Sequence, residues 1–193
     1  RNEGFKTSSK VQYVARTGNF IDGGAAYSGA LHILKVILSY DYLWQNIRVK
    51  GGAYGCMCNF NRIGEGYLIS YRDPNLEKTI DVYEKVTEYL RNFEADDRDM
   101  NKYIIGTISN KDVPRTPQMQ GSISKTAYFS KVTEDMLQKE RNQILGAQKE
   151  DIQKLAALVE AVLSDDQICV VGSETAIENA EDVFMEVKPL IGC

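Results

Sequence analysis

The feature that most constrains the fold is a β-hairpin predicted in the first half of the chain. Residues 56–61 and 67–71 have the pattern of strands, and the glycine-containing segment 62–66 separates them. A hairpin needs antiparallel pairing, and the surrounding order is strand, helix, hairpin, several helices, strand, helix, without the regular alternation of a doubly wound parallel sheet. We therefore expect a two-layer α+β fold, with an antiparallel or mixed sheet of about four strands and helices packed on one face.

Size and charge limit the number of domains and the kinds of partner. The chain has 193 residues, is 43% hydrophobic, and contains no proline-, serine- or glycine-rich linker, so we expect residues 1–193 to form a single domain. The formal net charge of −4 provides no basic surface of the kind that binds phosphate backbones or anionic lipid. No apolar stretch approaches the roughly 18 residues that a membrane-spanning helix needs. We expect neither a nucleic-acid nor a membrane partner.

The cysteines and the chain start suggest a compartment. Four cysteines, at positions 56, 58, 169 and 193, are too few and too unevenly spaced for a secreted disulfide framework, and there is no Asn-x-Ser/Thr acceptor. The chain begins with Arg1 and has no basic-then-apolar leader, which predicts a processed protein or a piece of a longer one. We expect a reducing, cytoplasmic location.

The residues that could hold a metal ion are sparse. His32 is the only histidine, and its position on the polar stripe of a predicted helix favours a solvated side chain over a functional one. Cys56 and Cys58 lie two residues apart in a predicted strand and therefore on one face of it. There, a packing role is favoured over metal binding or redox chemistry. A zinc site needs three or four ligands, so we expect no metal-binding residues in this segment.

Two further motifs are short and incomplete. Ser122 and Lys125 match the S-x-x-K pattern of serine acyl-enzymes, but the companion motifs are missing, which favours chance helical positions. Gly23 and Gly24 precede a helix and could cradle an anion at its N-terminus. No phosphate-binding glycine pattern completes this segment, so a simple turn is favoured.

The segment 47–55, IRVKGGAYG, carries the most specific chemistry in the chain. It places Arg48 and Tyr54 six residues apart on a glycine-containing turn between a helix and a strand. An arginine can donate several hydrogen bonds to a peptide carbonyl, and a tyrosine can donate one. Gly51 and Gly52 leave room for a second chain to approach the backbone. By spacing alone, a peptide-binding turn and a structural loop both remain open.

This segment also carries a family resemblance. Together with LSYDYLW (38–44), SYRDP (70–74) and IGTIS (105–109), it resembles the C-terminal half of the pitrilysin/insulinase-type zinc metallopeptidases, in the presequence-protease branch. The resembling segments run from about residue 12 to residue 121, and a looser helical remainder follows. Cys56 departs from the pattern, because many relatives have glycine at that position.

The resemblance implies an architecture of two halves with different roles. Such peptidases are clamshells in which one half holds zinc through an inverted H-x-x-E-H helix, and the other half closes the chamber. This chain resembles the closing half, and zinc is therefore expected in the missing N-terminal half. By motif, Arg48 corresponds to a substrate-binding residue and Tyr54 to a residue that stabilises the transition state. Gly51 and Gly52 would also contact the peptide.

The leading hypothesis is therefore the non-metal-binding half of a zinc-dependent peptidase that degrades short unfolded peptides. Its partners would be a peptide substrate and the catalytic half of the same polypeptide, and the isolated segment would be inactive. The alternative is a catalytically silent relative that uses the same fold as a scaffold or assembly subunit. The residues of this segment leave both hypotheses open.

Overall fold

The computed structural model describes residues 1–190 and has an α+β architecture. The strands are β1 (Glu3–Thr7), β2 (Gln12–Asn19), β3 (Gly55–Phe60), β4 (Glu65–Asp73), β5 (Gln167–Ser173) and β6 (Glu186–Pro189). The α-helices are α1 (Ala30–Ile37), α2 (Glu77–Glu84), α3 (Val86–Arg91), α4 (Asp97–Lys111), α5 (Pro117–Phe129), α6 (Glu134–Leu145), α7 (Lys149–Ser164) and α8 (Glu174–Asn179).

All of these strands join one mixed sheet. Its order is β3-β4-β2-β5-β1-β6, and β1 pairs in parallel with both β5 and β6, whereas the other neighbours are antiparallel. The hairpin predicted from the sequence is formed by β3 and β4, and β3 lies at one edge of the sheet. Within residues 1–190 the sheet has six strands, so the expectation of about four was too low.

The sheet buries one face. Along β2, β4 and β5, alternate residues such as Val14, Leu68 and Val170 are buried, as expected where one face of a sheet packs against helices. Helix α8 packs Ile177 against β1, and the strand residue Cys58 contacts the backbone of Lys35 in α1. The opposite face keeps partly exposed side chains, among them Tyr13.

The two strands missing from the sequence prediction lie at the chain ends. β1 is short, and four of its five residues are only partly buried. The last element predicted from the sequence is a helix that follows a strand, but the segment 175–187 forms the short α8, a 3₁₀ turn (Glu181–Val183) and the start of β6. Both strands pair with partners that are distant in sequence, which local periodicity does not report.

The helical layer contains one long irregular helix. Helix α1 continues through two π-helical segments, Leu38–Tyr42 and Trp44–Val49. The 43→38 and 50→45 backbone hydrogen bonds have the five-residue spacing of a π-helix. By contrast, α5 has no buried residue. Within the described chain, no helix is long and apolar enough to span a membrane.

Candidate functional site

The π-helical end of α1 determines where Arg48 lies. Residues four apart on this wider helix bring the Arg48 guanidinium onto the ring of Trp44, with Cζ 4.2 Å from the ring centroid. Both residues are exposed. Short π-helical segments occur often at functional sites. Arg48 is thus held by an aromatic neighbour, while its donors remain directed to solvent.

A glycine turn follows directly. Gly52 has a positive φ of 81°, which is a conformation that favours glycine. Its N–H donates to the Arg48 carbonyl over 2.9 Å, and Ala53 N–H donates to Ile47 O over 3.1 Å. At Gly51, an added Cβ would lie 2.5 Å from Ile47 O. Local backbone geometry therefore requires both glycines, whether or not a peptide approaches.

A side chain from the connection between β4 and α2 hydrogen-bonds to this turn. Asn75 Nδ2 donates to the Gly51 carbonyl over 2.6 Å, and Asn75 N–H donates to Asp73 Oδ1 over 2.9 Å. Asp73 is fully buried, and its other oxygen accepts from Thr79 Oγ1 over 2.7 Å. An Asp-Pro pair such as Asp73-Pro74 is typical of a helix start, but α2 begins at Glu77. The buried aspartate instead joins the turn to the start of α2.

Tyr54 lies at the end of the turn and points away from the core. It is 60% exposed, and its ring lies 5.7 Å from that of Tyr71, centroid to centroid. The Arg48 Cζ lies 5.9 Å from the Tyr54 centroid. Within residues 1–190, the Tyr54 hydroxyl makes no hydrogen bond and the Arg48 guanidinium makes no ion pair with a carboxylate. We call residues 48–54 the Tyr54 turn.

The structure thus brings the four predicted site residues together on one exposed turn. Arg48 and Tyr54 are neighbours with free donors, while Gly51 and Gly52 form the bend between them. An unpaired guanidinium and an unpaired phenol on a surface can each donate hydrogen bonds to an oxygen of a bound molecule.

The cysteines next to this turn are not reactive thiols. Cys58 is buried, and Cys56 is half-buried. Burial raises the pKa of Cys56 to about 11 and that of Cys58 to about 12. Because the thiolate is the nucleophile and the metal ligand, both side chains serve as packing. Cys193 lies outside the described residues.

The other sequence candidates do not converge on a site. Ser122 and Lys125 are exposed on α5, whose residues pack against no core. Gly24 has a positive φ of 83° and belongs to a turn before α1. Within the described part of the chain, no group of three histidine, cysteine, aspartate or glutamate residues could hold a metal ion.

One polar cluster was not found from the sequence. Glu140 in α6 is 3% exposed and accepts from Tyr27 Oη over 2.8 Å. His32 Nε2 lies 3.0 Å from its other oxygen, and Arg62 and Lys111 form ion pairs with the same carboxylate. We call these five residues the Glu140 cluster. His32, expected to be solvated, instead belongs to this cluster, and its partners lie too far along the chain for local patterns to indicate them.

The cluster is electrostatically coupled. Burial raises the pKa of the Glu140 carboxyl, but hydrogen bonds from His32, Lys111 and Tyr27 outweigh burial and bring that pKa far below its ordinary value. Burial and the bond to Glu140 raise the pKa of the Tyr27 hydroxyl. The cluster therefore joins α1, α4, α6 and the β3–β4 loop through a carboxylate that stays ionised.

Comparison with known proteins agrees with the family resemblance found in the sequence. Residues 2–174 match the family model described as the PreP C-terminal domain. The chain is 46% identical over 99% of its length to "Protein HypA" of Clostridium perfringens, and covers 20% of that protein. It is 33% identical over 97% of its length to presequence protease 1 of Arabidopsis thaliana, and covers 18% of it. The chain therefore spans about a fifth of these relatives.

A solved structure supports the fold independently. The inactive domain of an M16 peptidase from Pseudomonas fluorescens superposes with a TM-score of 0.62, at 17% sequence identity, over 89% of this chain and 42% of that one. At this identity the likeness concerns the fold alone. It includes the mixed sheet and the helical layer.

The relatives overturn the expected location. The Arabidopsis protein is named as chloroplastic and mitochondrial, so the expectation of a cytoplasmic protein is wrong. It rested on few cysteines and a missing glycosylation acceptor, and these features argue against a disulfide framework without identifying a compartment. They do not distinguish one reducing compartment from another.

Proposed function

Because the chain belongs to the PreP C-terminal domain family, we propose that it forms the non-metal-binding half of a zinc-dependent peptidase. In this role it closes the chamber over a short unfolded peptide and contacts the peptide beside the cleaved bond. The catalytic half of the same polypeptide is its partner. The observation that supports this most is the Tyr54 turn, where a guanidinium and a phenol are exposed, adjacent and unpaired.

The residues of this chain do not fit a zinc site, because the described part contains no group of three suitable ligands. A zinc ion would have to be held by residues outside this chain. The contribution of this chain is therefore binding, orientation and hydrogen bonding, and each can be assigned to a particular side chain.

Tyr54 is proposed as the catalytic residue. In peptide hydrolysis the carbonyl oxygen of the cleaved bond gains negative charge in the transition state. The exposed Tyr54 hydroxyl, which has no partner among residues 1–190, can donate to that oxygen. A donor that meets the charge only as it develops lowers the barrier without tightening ground-state binding.

Arg48 is proposed as a substrate-binding residue. Its guanidinium is stacked on Trp44, which limits its freedom while leaving donors available for a peptide carbonyl. A planar fork of this kind positions a peptide backbone better than a lysine ammonium does. Gly51 and Gly52 lack side chains beside it, so that a peptide backbone can approach the turn closely.

The test is Tyr54→Phe in the complete polypeptide. We expect kcat for a short unfolded peptide to fall at least tenfold, and by about a hundredfold if the hydroxyl acts as a full transition-state donor. The melting temperature should change little because the side chain is exposed. Steady-state hydrolysis and thermal unfolding measure the two quantities.

The matched control is Tyr128→Phe, which removes a hydroxyl from a residue that is 80% exposed on α5. This control should retain wild-type turnover, and the 193-residue chain alone should cleave nothing. If kcat is unchanged in Tyr54→Phe, the catalytic role of Tyr54 is refuted. A complete polypeptide without any peptidase activity would favour the alternative of a silent scaffold.

A further inference from the structure

A second arginine adjoins the Tyr54 turn from the neighbouring strand. Arg72 in β4 is exposed, and its Cζ lies 5.4 Å from the centroid of the Tyr54 ring. Arg48 approaches the same ring to 5.9 Å. The Tyr54 N–H also donates to the Arg72 carbonyl over 3.3 Å. Tyr54 therefore has a guanidinium from the π-helical segment and another from the hairpin as neighbours.

The backbone at Arg72 has an unusual conformation. Its φ is +49°, which is unfavourable for a residue with a Cβ. The pairing of β2 with β4 shifts here, since Val14 lies opposite Ser70 but Gln12 lies opposite Asp73. Three residues of β4 thus span the distance of two residues of β2, which is a β-bulge. Bulges redirect side chains and occur often beside active sites.

Arg72 differs from the other non-glycine residues that have a positive φ. Within residues 1–190, the non-glycine residues with positive φ are Arg72, Lys131 and Asp166. Lys131 and Asp166 directly follow the C-caps of α5 and α7, where a left-handed residue commonly ends a helix. Arg72 lies inside a strand, so helix termination does not account for it. Unfavourable backbone geometry of this type is concentrated at ligand-binding sites.

No carboxylate neutralises this pair of arginines. Neither Arg48 nor Arg72 forms an ion pair within the described chain. The adjacent Asp73 is fully buried, and its oxygens accept from Asn75 and Thr79 instead. Two exposed positive charges therefore adjoin one tyrosine ring, in a chain with a net charge of −4. A carboxylate is the ligand group that best offsets a pair of guanidinium groups.

We infer that Arg72 is a second substrate-binding residue, which with Arg48 binds an acidic side chain of the peptide one or two residues from the cleaved bond. This inference rests on the proposed function, because it places the peptide on the Tyr54 turn. It makes the turn selective: glutamate at that position is favoured, glutamine is neutral, and lysine is disfavoured.

The experiment measures binding, so that its result does not depend on turnover. The complete polypeptide carrying Tyr54→Phe is titrated with three fluorescent peptides in which the cleaved amide is replaced by a non-hydrolysable CH2–NH bond and which differ only by Glu, Gln or Lys beside that bond. We expect the Glu peptide to bind about tenfold more tightly than the Gln peptide, and the Lys peptide to bind most weakly. The difference should shrink as salt is raised from 50 to about 500 mM, because screening weakens exposed charge pairs.

Arg72→Asn in the same background provides the decisive variant. Asparagine tolerates positive φ, so the bulge is kept while the guanidinium is removed. The Kd values for Glu and Gln peptides should then agree within about twofold, without a fall in melting temperature. Arg98→Asn is the matched control, since Arg98 is exposed on α4 and has no aromatic partner of this kind.

Each outcome has one meaning. The inference would be overturned if the Glu and Gln peptides bound equally before Arg72 is changed. It would also be overturned if the preference for the Glu peptide survived Arg72→Asn, or if Arg98→Asn removed that preference equally. A preference lost only in Arg72→Asn supports it. The turnover of Tyr54→Phe, measured separately, tests the proposed function, so the two can fail independently.

Discussion

The Glu140 cluster and the Tyr54 turn use the same side-chain chemistry in opposite ways. Both regions combine arginine and tyrosine beside the β3–β4 hairpin: the Glu140 cluster includes Arg62 of its loop, and the Tyr54 turn directly precedes β3. In the Glu140 cluster, Arg62 and Lys111 pair with a carboxylate that is 3% exposed. In the Tyr54 turn and the adjoining strand β4, Arg48 and Arg72 lie against aromatic rings and form no ion pair within the described residues, and Tyr54 is 60% exposed.

The two regions differ in the burial and in the ion pairing of their cations. A paired cation at a buried carboxylate joins elements, and removing either partner leaves an uncompensated charge. A cation without a carboxylate partner adds little to stability and keeps its donors available. Burial and pairing therefore indicate where a substitution should change stability and where it should change binding.

The largest expected effect on stability comes from Glu140→Gln. The substitution removes the charge that compensates Arg62 and Lys111, and we expect the free energy of unfolding to fall by about 3 kcal/mol. Urea unfolding of the 193-residue chain measures this. Arg48→Gln is the matched comparison and should cost less than about 1 kcal/mol, since it loses only an exposed cation–π contact. Similar losses in both variants would contradict the distinction.

Acidification should weaken the Glu140 cluster progressively. Because the folded-state pKa of Glu140 lies below its ordinary value of 4.5, its stabilising contribution is complete above that value and declines as the pH falls below it. The stability difference between wild type and Glu140→Gln should narrow by about 1.4 kcal/mol for each pH unit below 4.5. Urea unfolding at pH 5.5, 4.5 and 3.5 measures this difference. A constant difference would show that Glu140 does not titrate as described.

A smaller effect is expected from the backbone of the Tyr54 turn. Gly52→Ala places a Cβ on a residue with a φ of 81°, and we expect a loss of about 1 kcal/mol in the free energy of unfolding. Gly106→Ala is the control, because an added Cβ in α4 meets nothing within 4 Å and should be neutral or stabilising. Urea unfolding of both variants compares them directly. Equal tolerance of alanine at both positions would mean that the turn is not constrained by φ.

Local patterns predicted most of the elements because they depend on neighbouring residues. The hairpin, the early strand and α7 follow from alternation or helical periodicity. Helix α6 follows a typical N-cap residue, Thr133, whose side chain accepts from Met136 N–H. The failures were β1 and β6, since each is short and is stabilised by pairing with distant strands.

The candidate site was predicted in part. Arg48, Gly51, Gly52 and Tyr54 lie within one segment of seven residues, so one motif contained all four. Arg72 lies in a segment that contributed to the resemblance, but the role proposed for it depends on a β-bulge and a positive φ, and no sequence pattern predicted either feature. His32 was assigned to solvent because its partner Glu140 is 108 positions away along the chain.

The amino-acid sequence alone determined the α+β class, the hairpin, the family and the residues of the Tyr54 turn, because these depend on local periodicity and on contiguous motifs. Only the tertiary structure decided the number of strands, the pairing of His32 with Glu140, and the position of Arg72 beside Tyr54. These features depend on contacts between residues that are far apart in the chain. Burial and the pairing of charges arise only when such residues pack together.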